Sequence, residues 1–576
     1  MSEETTKSVK KIDDGVWVFA ALLAVIGGFM FLSPSLISGS GDDWISMPLV
    51  GLPIIAGLLM ISFGTVVPPW RKEKILNATR YTCLAISLMS LAICTGMFVG
   101  LFIGVGWEEI TFNHYVVEAK YSWIDSIGVY WHVGLDGLSF PMVWLTSLLI
   151  PITIVTTWNE EKGWYYHPLL LVMGGALIGV FVSLDLFMFY VFWELTLVPM
   201  FFLILNWGGK DRRYAAQKFF IYTFTASVIM LLGILILYFV QTPDYSTTTS
   251  FTGRTFDMYE LTRDAHIASI GGAPWLGLGL QKLLFVMFAV GFLVKLPVVP
   301  FHTWLPDAHV QAPTGGSMLL AGVMLKMGAY GFFRICIGMF PDALIDFQTI
   351  LMLIGMLSIF YGAWACLGQT NLKRMVAYSS VSHMGLILLG IASMQPLGFA
   401  GALFMMFAHG IISPLLFAVA GSLKHHYHTL EIGSMRGLAK WSPWMGAYMM
   451  FGWMASLGLP LLAGFVAEVA IMVAFWQQYG WWVLIPALTL IITAAYYLWS
   501  MQRIIFEGGE EGQLPESLGD DKPVDIDKTE NIGMIIMAIL TVLFGILPFI
   551  MFDMMSAYSS QVFDTILKIV MARRGL

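Results

Sequence analysis

The chain has 576 residues, of which 58% are hydrophobic and only 12% are charged, about half the charged share of a soluble globular domain. Together with a mean hydropathy of +0.77, this composition excludes a soluble multidomain enzyme and indicates a polytopic membrane protein. The net charge of −7 adds little, because loop charges rather than the total set membrane topology.

Apolar runs predict an all-α fold of about fifteen membrane-spanning helices, since about 20 residues cross a bilayer. The first run follows Lys7, Lys10 and Lys11 and resembles a signal peptide, but no A-x-A site follows it, so a retained helix is predicted. The predicted spans are 15–35, 47–68, 83–106, 136–157, 168–183, 185–206, 214–240, 279–309, 316–338, 346–367, 373–395, 398–422, 447–475, 482–505 and 530–553.

Two of these runs, 279–309 and 447–475, are too long for one span and contain proline, which predicts interrupted helices. Residues 291–301 (GFLVKLPVVPF) and 452–465 (GWMASLGLPLLAGF) share a Gly-aromatic start and a Leu-Pro step. Such pairs of interrupted spans are typical of inverted repeats in transporters. The prolines concerned are Pro297, Pro300 and Pro306 in the first run and Pro460 in the second.

The positive-inside rule supports this topology. With the N-terminus in the cytoplasm, alternating spans place about two thirds of the 30 Lys and Arg residues in inside segments. No large soluble domain is predicted, and the longest outside loop is 241–278. The acidic segment 507–529 is predicted to be a solvated cytoplasmic loop, and the tail 554–576 an interfacial helix.

Five ionisable side chains lie deep inside the predicted spans, with His383 as a sixth candidate, and the carboxylate in FYVFWELTLVPM lies near the bilayer midplane. A lone charge there costs at least about 2.5–3.5 kcal/mol, so these groups should face the interior, pair or touch water. Buried acid–base pairs change protonation with small shifts in spacing or hydration, which predicts a proton relay. The alternatives are ion pairs that fix helix packing and, for the histidines, hydrogen-bonded core positions. The candidates are Glu194, Lys295, Lys326, His383, His409 and Glu468.

Motifs for bond chemistry are missing from the sequence. It contains no P-loop, no HExxH and no complete GxGxxG, and the cysteines form no CxxC pair. The HHYH stretch at 425–428 can bind a metal, but its place in a basic loop favours a solvated segment. His302 and His309 flank a predicted break, where helix termination is favoured over metal ligation. We therefore expect neither a redox cofactor nor a metal in this chain; the cysteines are Cys83, Cys94, Cys336 and Cys366.

Four stretches together resemble the antiporter-like membrane subunits of respiratory complex I. The W-E-x-x-L-x-P-M pattern favours the subunit M or chain 4 type over the L and N types, and so does the short tail without a long lateral helix. The resemblance covers about residues 45–555. It is carried by FWELTLVPM at 192–200, LVKLPVVPFHTWLPDAHVQAPTGGSMLLAGVMLKMGAYG at 293–331, QTNLKRMVAYSSVSHMG at 369–385 and FAHGIISPLLF at 407–417.

The resemblance implies a core of fourteen helices with two inverted five-helix repeats, each holding one broken helix. The predicted divisions are an added N-terminal helix at 1–43, core helices at 44–160, a first repeat at 161–340, a second at 341–506, and an acidic loop, last helix and tail at 507–576.

The resemblance also assigns roles to the candidate residues. It implies that Glu194 pairs with Lys295 on the first broken helix, that Lys326 connects two half-channels, that His409 and His383 belong to a central polar axis, and that Glu468 is the terminal residue on the second broken helix. The implied function is M-type proton translocation coupled to remote electron transfer from NADH to quinone.

The same resemblance sets expectations for partners and location. Flavin, iron–sulfur clusters and quinone are expected in partner subunits, and the neighbours are L-, N-, K- and J-type subunits of a bacterial inner membrane, with no nucleic acid. Three alternatives remain open: a multisubunit cation/proton antiporter, a ferredoxin- or hydrogenase-linked complex, and a structural membrane scaffold.

Overall fold

A computed structural model of the chain describes residues 46–66, 72–104, 115–160, 162–241, 253–263, 274–275, 278–507, 514–519 and 523–574. The predicted span 15–35, within the added segment 1–43, lies outside these residues. Ten of the described helices are long and apolar enough to cross a membrane. The prediction of an all-α multi-pass membrane protein is confirmed, whereas the number of fifteen spans is not.

A β-hairpin follows the first two helices, and the sequence interpretation did not predict it. Its strands pair antiparallel, with Lys120 opposite His132. The chain reverses at Gly128, whose φ of 72° is in the left-handed region that glycine adopts without a steric penalty. The elements here are α1 (Ser46–Val66), α2 (Lys72–Gly104), β1 (Val116–Ile124) and β2 (Val129–Leu135).

The next run of helices contains a break that the sequence did not predict, because 185–206 was predicted to be one continuous span. Residue Thr196 separates α5 from α6. Pro199 has no N–H to donate to the Leu195 carbonyl one turn earlier, which is a reason for the helix to break there. The helices are α3 (Ser139–Thr156), α4 (Tyr166–Val182), α5 (Leu186–Leu195), α6 (Leu197–Trp207), α7 (Arg212–Val240) and α8 (Met258–Arg263).

The first predicted interruption is present. Helix α9 ends at Lys295, and α10 begins at Trp304, with Pro297 and Pro300 between them. Pro306 instead lies in the first turn of α10, where its missing N–H is tolerated. The elements are strands β3 (Pro274–Trp275) and β4 (Leu278–Gly279), α9 (Leu280–Lys295), α10 (Trp304–Gln311), α11 (Thr314–Leu319), a π-helical stretch Leu320–Met324, α12 (Leu325–Gly331) and a second π-helical stretch Phe332–Ile337.

The second predicted interruption is present as well. Helix α17 ends at Ser456 and α18 begins at Ala463, with Pro460 in the turn. The elements are α13 (Pro341–Leu367), α14 (Leu372–Ala392), α15 (Pro396–Tyr427), α16 (Leu438–Trp441), α17 (Pro443–Ser456), α18 (Ala463–Tyr479), α19 (Leu484–Met501) with a π-helical end Gln502–Phe506, α20 (Lys528–Ile546) and α21 (Phe549–Arg574).

Burial separates two central helices from the peripheral ones. The most apolar stretches of Thr314–Ile337 and Pro396–Tyr427 are fully enclosed by protein, whereas that of Leu76–Gly100 is only 28% buried. An apolar surface that is exposed in this way suits contact with lipid or with another membrane protein. Any polar group on the two enclosed helices must therefore find its partners inside the protein.

The acidic segment and the tail differ from their predictions. Asp525 accepts the backbone N–H groups of Trp444 and Met445 at the start of α17. Ser517 donates to the carbonyl of Tyr427. The described parts of 507–529 are therefore docked on helix ends, and the prediction of a solvated loop is wrong for them. The last predicted span ends earlier, at Ile546, and α21 packs an apolar side on the protein through Met551, Met554, Met555, Tyr558 and Val562.

Candidate functional site

Lys326 lies at the centre of a buried polar axis. It follows the π-helical stretch Leu320–Met324 on a fully enclosed helix, and π-helical turns recur at functional sites. Its Nζ donates to the carbonyl of Ala321 inside that stretch. The same Nζ lies 2.7 Å from Nδ1 of His409, and both side chains are at most 5% exposed. A charged Lys326 can thus donate a proton in a hydrogen bond to a neutral His409.

His383 and Glu468 extend this axis. The ring of His383 lies 5.2 Å from that of His409. Its Nδ1 lies 2.8 Å from the Ser379 carbonyl and its Nε2 3.1 Å from the Ser456 carbonyl. Carbonyls only accept, so the imidazole satisfies both when it carries two protons. Nε2 also lies 4.0 Å from Oε1 of Glu468, a carboxylate that can balance that charge.

The second helix break forms the end of the axis. Ser456, whose carbonyl receives His383, is the last residue of α17. Gly458 has a φ of 79°, and a Cβ at that position would overlap Oε2 of Glu468. Glycine is therefore required both by the backbone conformation and by the close approach of the carboxylate. The second helix break therefore brings both the Ser456 carbonyl and the Glu468 carboxylate to His383.

Two small cavities adjoin these groups. One is lined by His383, His409 and Glu468. The other is lined by His383, Glu468, Thr489 and Thr493. Most of the wall of each cavity is apolar, but the ionisable side chains of His383 and Glu468 line both. Water in these cavities would link the histidines to the carboxylate.

The first helix break holds Lys295 differently. Lys295 is the last residue of α9 and is 1% exposed. The Trp304 indole donates to the Val294 carbonyl at 3.0 Å, which satisfies a backbone group at the break. Within the described part of the chain, the Nζ of Lys295 has no hydrogen-bond partner; it lies 5.5 Å from the Trp193 ring centroid and 5.9 Å from that of Phe219. Aromatic faces, rather than a carboxylate, therefore surround this amine.

Glu194 lies at the edge of the chain and not in direct contact with Lys295. It is the ninth residue of α5 and is partly exposed. The hydroxyls of Tyr190 and Ser227 lie beside its carboxylate. Among the residues that the structure describes, Glu194 forms no salt bridge with Lys295, and the two interact only through longer-range electrostatics. The direct pairing implied by the family resemblance is not observed, because the amine lies against aromatic rings instead.

The structure thus joins four of the six predicted residues in one axis and leaves two apart. Lys326, His409, His383 and Glu468 follow one another at short distances. Glu194 and Lys295 form a separate group by the first break. Spacing along the sequence does not determine such lateral order, because it depends on how the helices pack.

Two buried groups near the axis were not predicted to belong to it. His309 is fully buried within α10 and stacks 4.2 Å from the Phe417 ring, and neither of its ring nitrogens has a hydrogen-bond partner among the described residues. It lies within electrostatic range of both Lys326 and Lys373. Lys373 is 1% exposed and donates to the Ala312 carbonyl at 3.0 Å. His309 lies in the last turn of α10, which ends at Gln311, so its position agrees with the helix-termination interpretation.

A buried ion pair was also missed. Arg334 donates from Nη1 and Nη2 to the two carboxylate oxygens of Asp136, at 2.6 and 2.8 Å, and both side chains are at most 3% exposed. The bidentate geometry makes this one of the stronger polar contacts in the protein. A sequence signal existed, because the predicted topology puts Asp136, at the start of its span, and Arg334, near the end of its span, on the same side of the membrane.

A second cluster of charged side chains holds the β-hairpin in place. His132 lies 3.0 Å from Asp257 through Nδ1 and 2.8 Å from Glu118 through Nε2, and Lys120 lies 2.5 Å from Asp257. Burial lowers the pKa of His132, but the hydrogen bonds with Asp257 and Glu118 outweigh burial and raise that pKa to about 9. The imidazole is therefore charged at neutral pH.

Asp185 connects the hairpin to the helix that carries Glu194. Its Oδ1 accepts the N–H groups of Phe187 and Met188, so it caps α5, and its Oδ2 accepts the N–H of Tyr130 in β2. Asp185 is fully buried. The hairpin and the first residues of α5 therefore hold one another in place.

Comparisons with known proteins find similar membrane subunits. A family model described as NADH:quinone oxidoreductase/Mrp antiporter, transmembrane, matches residues 183–493. The F(420)H(2) dehydrogenase subunit M of Methanosarcina mazei is 43% identical over 441 residues, covering 75% of this chain and 84% of that protein. The NADH-quinone oxidoreductase subunit M of Rhodobacter capsulatus is 39% identical over 458 residues, covering 79% and 86%.

A solved structure extends the comparison to the whole fold. A chain of respiratory complex I from Thermus thermophilus superposes with a TM-score of 0.74 at 27% identity, over 90% of this chain and 99% of that one. The resemblance predicted from the four sequence stretches is confirmed.

Proposed function

Because this chain belongs to the NADH:quinone oxidoreductase/Mrp antiporter transmembrane family, we propose that it is the M-type membrane subunit of a complex I-type NADH:quinone oxidoreductase and that it translocates protons. The observation that carries the proposal is the axis from Lys326 through His409 and His383 to Glu468. Such groups are expensive inside a membrane protein and mark proton relays.

Each link of the axis has a chemical role in the proposed transfer. Lys326 and His409 share a proton across 2.7 Å. His383 holds two protons when it donates to both carbonyls, and releasing one leaves a carbonyl without a donor. Glu468 and its cavities would accept or supply that proton. His309 and Lys373 offer a continuation from Lys326 towards the end predicted to be cytoplasmic.

The driving force would come from partner subunits. Moving one charge against a membrane potential costs about 2.3 kcal/mol per 100 mV. The proposed complex supplies it from electron transfer through flavin, iron–sulfur clusters and quinone held elsewhere, and this chain acts as a non-redox subunit. L-, N-, K- and J-type neighbours in a bacterial inner membrane fit that assignment, with the N-terminus in the cytoplasm.

The decisive experiment uses the intact complex in vesicles. We compare proton uptake and NADH–quinone turnover for the parent, Lys326→Met and His409→Asn. We expect both activities to fall strongly while subunit composition stays normal. The matched control is Lys282→Ala, since Lys282 lies on the surface at the start of the helix that ends at Lys295. Unchanged proton uptake in assembled Lys326→Met complex would refute the relay and favour a structural scaffold.

The electron donor and the transported ion form a second question. The Methanosarcina mazei relative is named for F(420)H(2) rather than NADH, and the family description includes Mrp antiporters. Turnover assays with NADH, F(420)H(2) and reduced ferredoxin distinguish the donors. Sodium-dependent transport in the absence of any electron donor and quinone would favour the antiporter alternative.

A further inference from the structure

Four metal-ligating side chains meet at the ends of two helices, away from the polar axis. His425 and His426 lie at the C-terminal end of α15, and Asp527 and Glu530 lie at the start of α20. Their ligand atoms all lie within 4.8 Å of one another. The solvated-loop interpretation of 425–428 is wrong for His426, which is in the helix and whose side chain is 9% exposed.

The separations within this group, which we call the helix-end cluster, are close to those of a metal site. Nδ1 of His425 lies 3.4 Å from Oε1 of Glu530, and Nε2 of His426 lies 3.0 Å from Oε2. Tetrahedral zinc with bonds of about 2.0–2.1 Å needs neighbouring ligand atoms roughly 3.3 Å apart. The two histidines therefore already face the carboxylate at coordination distances.

Both carboxylates are held in place by contacts that leave their lone pairs available. Asp527 and Glu530 form a capping box, in which each side chain accepts the backbone N–H of the other. Asn159 also donates to Oδ2 of Asp527 at 3.2 Å. Such supporting hydrogen bonds orient ligands in metal sites. His425 is 38% exposed and Glu530 only 6%, so one side of the cluster is enclosed by protein and the other is open to solvent.

We propose that the helix-end cluster binds one divalent transition-metal ion of the zinc class. Two imidazole nitrogens with two carboxylates form a mixed N/O set, which prefers zinc and its neighbours over magnesium or calcium. The bound ion ties the end of α15, the helix that carries His409, to α20. Since the ion takes the imidazole lone pairs, both histidines must be neutral in the bound form.

The test measures zinc in the purified intact complex. We titrate zinc into the parent, His426→Ala and Glu530→Gln complexes and count the bound ions. We expect the parent to bind one more zinc ion per complex than either variant. The affinity at this site should fall at least about 100-fold in each variant, because even outer contacts to a metal site are worth 10–100-fold.

The control is His428→Asn, a change to an exposed histidine of the same HHYH stretch. His428 has a φ of 57°, which asparagine tolerates, and it does not belong to the cluster. It should bind zinc like the parent. Equal zinc binding by the parent and His426→Ala would overturn the proposal, leaving only a histidine–carboxylate ion pair. Because Glu530 also caps a helix, retention of the ion by His426→Ala is decisive even if Glu530→Gln fails to assemble.

Discussion

The two helix breaks have the same architecture but treat their charges in different ways. At the first break, Lys295 lies against aromatic rings without a hydrogen-bond partner in the described part of the chain, and Glu194 lies apart from it at the edge of the chain. At the second break, Glu468 lies inside, 4.0 Å from His383 and beside a small cavity. The two charged groups of the first break are separated, whereas Glu468 is enclosed and linked to Lys326 through two histidines.

This difference separates two ways of holding charge in a membrane protein. In the first group, Glu194 and Lys295 interact only at a distance. At the second break, His383 and His409 can hold the proton when Glu468 does not. We therefore expect removal of a charge at the first break to be more damaging than removal of the Glu468 carboxylate at the second.

The largest effect is expected at Gly328 of α12, which packs against the end of α9 at the first break. A Cβ at Gly328 would lie 2.5 Å from both the Leu296 nitrogen and the Phe292 carbonyl oxygen, and backbone atoms cannot rotate away. Gly328→Ala should destabilise the protein by about 3 kcal/mol or more, with little intact complex recovered. Unfolding temperature and yield measure this. Gly96→Ala is the control, because none of the described residues has an atom within 4 Å of a Cβ at that position. Equal yields of the Gly328→Ala and Gly96→Ala complexes would contradict the close packing at Gly328.

The next effect concerns the hairpin that is joined through Asp185 to the helix carrying Glu194. Despite burial, its carboxylate hydrogen bonds raise the pKa of His132 from 6.5 to about 9. A raised pKa stabilises the fold below the unfolded value and loses that contribution as pH rises through the folded value. His132 should thus contribute about 3 kcal/mol below pH 6.5, lost by about pH 9.5. Thermal unfolding of the parent and His132→Asn at both pH values tests this, and a gap that widens at high pH would contradict it.

Removing one charge at the first break should come third. Glu194→Gln leaves Lys295 without its distant counter-charge, and we expect proton uptake to fall roughly 100-fold, as for loss of a proton-transfer group. Lys295→Met should do the same. Asp346→Asn, an exposed carboxylate paired with Lys282, is the control. Uptake above half of the parent value in assembled Glu194→Gln complex would show that the first group takes no part in transfer.

The smallest effect is expected at the second break. In Glu468→Gln, His383 and His409 remain to hold the proton, so proton uptake should fall by only about tenfold. The comparison of Glu468→Gln with Glu194→Gln in one vesicle preparation tests the contrast between the two breaks. If Glu468→Gln is the more damaging, the tolerance inferred from the histidines is incorrect.

Much of the scaffold could be predicted from the sequence, because lipid imposes simple rules. Span length, proline position and the cost of buried charge were enough to locate both interruptions and all six candidate residues. The break at Thr196 escaped because its proline lies three residues later, inside an otherwise continuous apolar run.

The contacts between helices could not be predicted in the same way. Whether Lys295 meets Glu194 or the Trp193 ring depends on side-chain packing between α5, α7 and α9, which no spacing rule describes. The hairpin escaped as well, since its charged group unites residues from distant segments, such as His132 and Asp257. The docking of the acidic segment 507–529 on helix ends could not be predicted, because its composition is typical of a solvated chain. Only the contacts in the structure show that its described parts are docked.

The position of Glu194 at the edge of the chain has a consequence for how the protein is made. A partly exposed carboxylate within the membrane must bind a proton, draw in water or be covered by another chain. The hydroxyls of Tyr190 and Ser227 lie beside the Glu194 carboxylate, but the exposed neighbours Val191, Val198 and Phe202 offer no polar group. Association with an adjacent subunit therefore also sets the protonation state of Glu194. The strength of subunit association should depend on pH, even before any substrate is present.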